Sequence, residues 1–334
     1  MTSAAGPAAW ALRFSPRRAA VSGKALEIGT QALLVTLLPR LLGPAEFGRM
    51  SVALAVVTIG SVAMSLGAPA SFARFVPAAP EHLRVGTARS LTIRLLPLRA
   101  AQMGIALLVA IVLVMARPSS FPAPDAALVL AALGAEVGAL LLAQIALGLG
   151  ATWIWSYRLS ARNVALLLLV PAFAALGWTV DVMWTVALGC AAGLLFAFAL
   201  VWPLVRHASP GAPIPEGAMR FGRVSGLALL VGQVTYRGPV LATSVGGLSP
   251  EDVGYAGLAA SIAMAVIYAV RELFMVSVPE LVDCWSRDPS EADRRLRRLG
   301  WRVQLALTGG ALLGAVALEQ VLPLVVGDAF APAT

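Results

Sequence analysis

Charge is scarce in this chain. Asp, Glu, Lys and Arg make up 13% of its 334 residues, about half the share of an average soluble domain, which excludes an ordinary water-soluble fold. Cysteine and histidine occur twice each. Cys190 lies inside an apolar run and Cys284 in a connecting segment, so neither a disulfide framework nor a redox pair is expected. His82 and His207 fall in connecting segments without metal-site spacing around them. No glycine-rich loop ends in Lys-Ser or Lys-Thr, so no ATP hydrolysis is expected, and no cofactor is implied. The first residues do not read as a signal peptide: the apolar piece AAWALRF is short, and Arg17 and Arg18 follow it.

What is present is hydrophobic surface, 59% of residues, with a mean hydropathy of +0.84. A helix needs about 20 apolar residues to cross a hydrocarbon core of about 30 Å. Nine such runs are read, at 24–42, 49–70, 92–115, 126–150, 163–180, 183–205, 224–247, 253–278 and 302–326. The expectation is an all-α integral membrane protein with nine transmembrane helices; the long runs argue against a barrel.

Of the 25 Lys and Arg residues, 19 fall on one side of this map, Arg158 and Arg162 among them. That bias predicts an N-terminus inside. A net charge of +8 is thus explained by the membrane, and no nucleic-acid partner is implied. Asp288, Pro289 and Glu291 read as a capped start for a short basic interfacial helix ending in RRLRRLGWR (294–302), set against anionic lipid.

One motif occurs twice. LLGPAEFG (41–48) and GLSPEDVG (247–254) each place a proline, an acid and a glycine between two apolar runs. At an offset of 206 residues Pro44 meets Pro250, Glu46 meets Asp252 and Gly48 meets Gly254. Gly43 or Ser249 suits the cap, proline the first helical position and the acid the third. The glycine one turn later admits a close neighbour. The offset also places Glu27 on Gln233 and Gln31 on Arg237, which suggests an internal duplication. With six spans between the two starts, the repeat is parallel. The expected organisation is a cytoplasmic tail (1–23), a six-helix bundle (24–205), a cytoplasmic linker (206–223) and the first half of a second bundle (224–334). The chain is accordingly expected to be short of three C-terminal helices.

The stretches LLGPAEFGRMSVALAVV, SLGAPASFARFVPAAPE (65–81) and LPLVVGDAFAPA resemble the polysaccharide-transporter branch of the MOP flippase superfamily. The resemblance implies two six-helix bundles forming a V in the bacterial cytoplasmic membrane. It implies export of a polyprenyl-diphosphate-linked glycan for surface polysaccharide synthesis, with polysaccharide polymerases or ligases as partners. Three other readings stand beside it: an ion-coupled drug exporter of the MATE type, a lipid II flippase and a non-transporting scaffold. A membrane enzyme acting on polyprenyl substrates would be expected to carry catalytic groups in a sizeable outer loop, and the outer connections here are short.

Charges within spans cost about 2.5–3.5 kcal/mol at mid-helix and are functional candidates. Lys24, Glu27 and Gln31 share one face of the first helix, and Gln233 and Arg237 one face of the seventh. Repeat symmetry sets these faces opposite each other, where Arg237 could hold a diphosphate with Glu27 balancing its charge. Arg74, in SFARFVP, and Arg271 complete the cavity set. Glu136 lies inside GAEVG (134–138), a helix-packing pattern that also admits an ion site. Arg40, near the outer mouth, is expected to snorkel.

Overall fold

The structure, a computed structural model, describes residues 16–116, 122–176, 181–206, 212–264, 284 and 288–333. Every regular element among them is helical: α1 Pro16–Ser65, α2 Ala68–Ala78, α3 Arg84–Ala116, α4 Ala123–Gly148, α5 Thr152–Ala175, α6 Val182–Val205, α7 Ala218–Val245, α8 (250–264) and α9 Pro289–Val326. Among the described residues, five stretches are long and apolar enough to cross a membrane: Ser22–Ser65, Glu81–Ala116, Ala123–Gly148, Thr152–Ala175 and Val182–Val205. The chain is an all-helical protein suited to crossing a membrane several times.

The first of these stretches contains two of the expected runs. Gly43 (φ 73°, ψ 171°) breaks α1 between them. Glycine reaches that φ without a Cβ penalty, its extended ψ suits the residue before a proline, and Pro44 has no N–H with which to continue the ladder. The two limbs fold back on each other: Gln31 and Val35 of the first line one small cavity together with Leu54 and Thr58 of the second. A straight helix would hold Gln31 and Thr58 about 40 Å apart. The second limb ends at Leu66 (φ 42°) and Gly67 (φ 68°), two successive left-handed residues, before α2 restarts at Ala68. The expected run 49–70 is therefore broken near its end.

Two expectations are corrected. The fifth span, expected at 163–180, is a helix from Thr152, so Arg158 and Arg162 lie inside it and not in an inner loop. The basic stretch 294–302 is no separate interfacial helix: α9 runs unbroken for 38 residues, about 57 Å. That is nearly twice a hydrocarbon core of about 30 Å. Asp288 caps it as expected, accepting from the amides of Ser290 (2.9 Å) and Glu291 (3.1 Å), and Gly300 alone does not stop it. The run 224–247 is helical in α7 as far as Val245. The run 253–278 is helical as far as residue 264, and its remainder lies outside the described residues.

Two large apolar clusters, with a small third around Ala55, Val240 and Val253, hold the bundle. Leu38, Met50, Val57, Leu133, Leu166 and Phe330 meet towards the Gly43 end. Phe72, Val76, Leu91, Ile154 and Val201 meet towards the other. Small residues bring helices together elsewhere, as where Gly189 of α6 lies against Leu166 of α5. α3 leans away: its buried residues stop at Arg99, while Ile105 and Leu108 are each 61% exposed.

Candidate functional site

The interior of this apolar bundle contains ions. Glu136 sits midway along α4 and is 3% exposed, where an unpaired carboxylate would be very costly. Its Oε1 accepts from Arg158 Nη1, and its Oε2 lies 3.6 Å from Arg162 Nη1. The two arginines are four residues apart and so share one face of α5, with Glu136 between their heads. The packing pattern expected around Glu136 is present too, since a Cβ on Gly138 would stand 3.0 Å from Leu194. A second buried polar pair joins α3 to α4, Arg99 Nη2 donating to Gln144 Oε1 at 3.1 Å.

From Arg162 the polar chain continues towards α1. Asn163 Nδ2 donates to Gln31 Oε1 and Thr30 Oγ1, each at 3.4 Å. Arg162, Asn163, Gln31, Thr58, Ser261 and Arg237 line one cavity of about 40 Å³. Gln31 and Arg237, expected to face each other, do share it. At about 10–15 Å³ of such volume per water, the cavity has room for a few waters and not for a sugar diphosphate.

The other candidate residues are placed differently. Lys24 and Glu27 pair with each other at 3.0 Å on α1 and do not line this cavity. Gln233 is half-buried on α7 and likewise does not line it. Arg74 does not join the group: it is exposed, with its guanidinium 4.6 Å from the Phe221 ring of α7. Arg271 lies outside the described residues. Arg40 is exposed and donates to the Leu324 carbonyl. Among the described residues no group of three or more His, Cys, Asp or Glu could hold a metal.

The helices around the cavity cross closely at two levels. A Cβ on Gly48 would lie 2.1 Å from the Pro250 carbonyl oxygen, and a Cβ on Gly254 would lie 2.1 Å from that of Pro44. These are the paired positions of the repeated motif, in mutual contact. The second motif is capped as its residues suggest, with the Asp252 amide donating to Ser249 Oγ at 3.1 Å. At the other end a Cβ on Gly67 would lie 1.9 Å from the Gly222 carbonyl oxygen, and one on Gly226 would lie 2.4 Å from the Gly67 nitrogen.

Sequence reasoning missed Arg158, Arg162 and Asn163. The usable signal was their spacing beside an acid midway along a neighbouring span: two arginines one turn apart fit one carboxylate. No protein-family model matches the chain, and no curated protein or solved structure matches it.

Proposed function

We propose that the chain is a flippase. Its substrate would be a polyprenyl-diphosphate-linked oligosaccharide, moved across the bacterial cytoplasmic membrane for surface polysaccharide synthesis by alternating access between two helix bundles. The observation that carries this reading is the meeting of Arg162 and Arg237, from α5 and α7, around one cavity deep in an apolar bundle. Guanidinium groups hold phosphate oxygens by paired, charge-assisted hydrogen bonds, while the Gln31 amide nitrogen offers a further donor. Glu136 keeps Arg158 and Arg162 compensated when no anion is bound. The described state is shut at both levels of glycine crossing, so the head would enter only as one crossing parts.

The reciprocal contact of Gly48 and Gly254 supports a parallel repeat, because a two-fold axis through the crossing would exchange those two contacts. In this reading the chain has nine spans with its N-terminus inside. The pairing of Glu136 with two arginines favours the flippase over an ion-coupled exporter, where the acid must be open to its coupling ion.

Export complementation in cells tests the proposal, with Arg162→Ala and Arg237→Ala compared at matched protein levels. Both should lose export, and Arg237→Lys should regain only part of it, since an ammonium keeps the charge without the fork. Full export by both alanine variants would remove the anion site. Orientation is checked separately: a cysteine at Ala45 or Ser249 should react with an impermeant reagent in intact cells, and one at Ser290 should not.

A further inference from the structure

Two adjoining cavities at the Gly43 end of the bundle lie outside the polar cluster. The upper, about 360 Å³, is bounded by Gly48, Gly247 and Pro250 near the helix ends. The lower, about 530 Å³, follows the second limb of α1 from Arg49 to Met64, between that limb, α3 and α4. That is about 22 Å of helix, three quarters of a hydrocarbon core of about 30 Å. The two cavities share Arg49, Asp125 and Ser244 at their junction.

The chemistry changes at that junction. Below it the walls are almost wholly apolar, and Gln102 near the far end already donates to the Ala63 carbonyl at 3.2 Å. The half of α3 beyond Arg99 has no buried residue, and its Ile105, Val109 and Leu113 line the lower cavity. At the junction Arg49 Nη2 contacts Asp125 Oδ2 at 2.7 Å, and Arg49 Nη1 contacts Glu46 Oε1 at 3.1 Å. Arg49 and Asp125 line both cavities, while Glu46 lines neither and reaches the junction only through Arg49, so the three groups together carry a net charge of −1 and Arg49 and Asp125 keep unused hydrogen-bonding positions. A negative rim repels an anionic head group. It suits a head that brings both an ammonium for the Asp125 carboxylate and a phosphate for the guanidinium.

We propose that these cavities bind a zwitterionic, amine-headed phospholipid. Its ethanolamine phosphate lies between Arg49 and Asp125, and one acyl chain lies along the second limb of α1. The site is separate from the cluster around Arg162, since that cluster lies across the same limb: Leu54 and Thr58 face the polar cavity, and Ala53, Val56 and Gly60 face the lipid. It stands or falls independently of the transport reading.

The test is photolabelling of the purified, reconstituted protein with phosphatidylethanolamine carrying a diazirine in its acyl chain. Label should concentrate on residues 52–64 and 102–113. Unlabelled phosphatidylethanolamine should compete about tenfold better than phosphatidylglycerol or phosphatidylcholine, since only its ammonium can donate a charge-assisted hydrogen bond to Asp125. The choline head lacks N–H donors and serves as the stricter control. Val109→Trp should exclude the chain and abolish this labelling. Asp125→Asn should keep the labelling but lose the head-group preference, which leaves a test if the tryptophan variant does not fold. Equal competition by phosphatidylglycerol, or label spread equally over the exposed 224–231 face of α7, would overturn the site and leave ordinary boundary lipid.

Discussion

Replacing Gly254 by alanine tests the crossing on which the two-bundle reading depends. The new methyl would stand 2.1 Å from the Pro44 carbonyl oxygen, which is backbone and cannot rotate away. A carbon–oxygen contact needs about 3.3 Å, so the second limb of α1 and α8 must part by about 1.2 Å. Gaps of about 0.5–1 Å already forfeit a quarter to a half of each dispersion contact along a seam. Overpacking of this kind costs about 1–3 kcal/mol. Gly29 provides the control: it is exposed, in α1, with nothing within 4 Å of a Cβ. There alanine should stabilise by about 0.5–1 kcal/mol through helix propensity alone. Thermal unfolding in detergent should therefore shift in opposite directions for Gly254→Ala and Gly29→Ala. Gly48→Ala should match Gly254→Ala, because its methyl meets the Pro250 oxygen at the same 2.1 Å. The double variant should lose little more than either single one, since the separation forced by one methyl makes room for the other. Coupling should then lie in the upper part of the range of about 0.5–3 kcal/mol seen for contacting residues. Additive losses would refute the reciprocal crossing, and so would a Gly254→Ala variant that behaves like Gly29→Ala.

Gly67→Ala should destabilise more than Gly217→Ala in the same unfolding assay. Both positions have a left-handed φ, costing about 1–2 kcal/mol with a Cβ, but only at Gly67 does the methyl strike a neighbouring carbonyl. Glu136→Ala should lower stability by about 3–5 kcal/mol, because it removes the carboxylate that lies between the Arg158 and Arg162 guanidiniums. Adding Arg158→Leu should restore part of the membrane abundance; no recovery would argue against the ion cluster. Hydrogen bonds from the Ser290 hydroxyl and the Glu291 amide hold the Asp288 carboxyl below its ordinary value. A depressed folded-state value contributes stability above the ordinary carboxylate range and loses it as pH falls through the lowered value. Hydrogen exchange in the first turn of α9 should therefore show more opening at acid pH than at neutrality, and Asp288→Ala should remove the difference.

How much of this was legible in the sequence depended on whether the signal was local. Helical class and membrane character follow from run length and hydropathy, which need no partner. The break between the first two spans was visible in Gly43 and Pro44, because glycine and proline act on their own backbone. Caps were legible for the same reason: Asp288 and Ser249 bond amides two or three residues away. The interior ions were not, and Arg162 shows why. By hydropathy an arginine near the edge of an apolar run belongs to the flanking loop, and the fifth span then reads as starting after it. The cost of burying it is offset by Glu136, 26 positions earlier on another helix, which lies between it and Arg158. Arg74 failed in the opposite direction, since a motif marked it for the cavity while the Phe221 ring across the α2–α7 seam gave it a place outside. An acid midway along one span and two arginines a turn apart on another form a pattern that residue spacing alone can reveal. In hydrocarbon the acid must find countercharge, and a pair of arginines on one helix face can supply it.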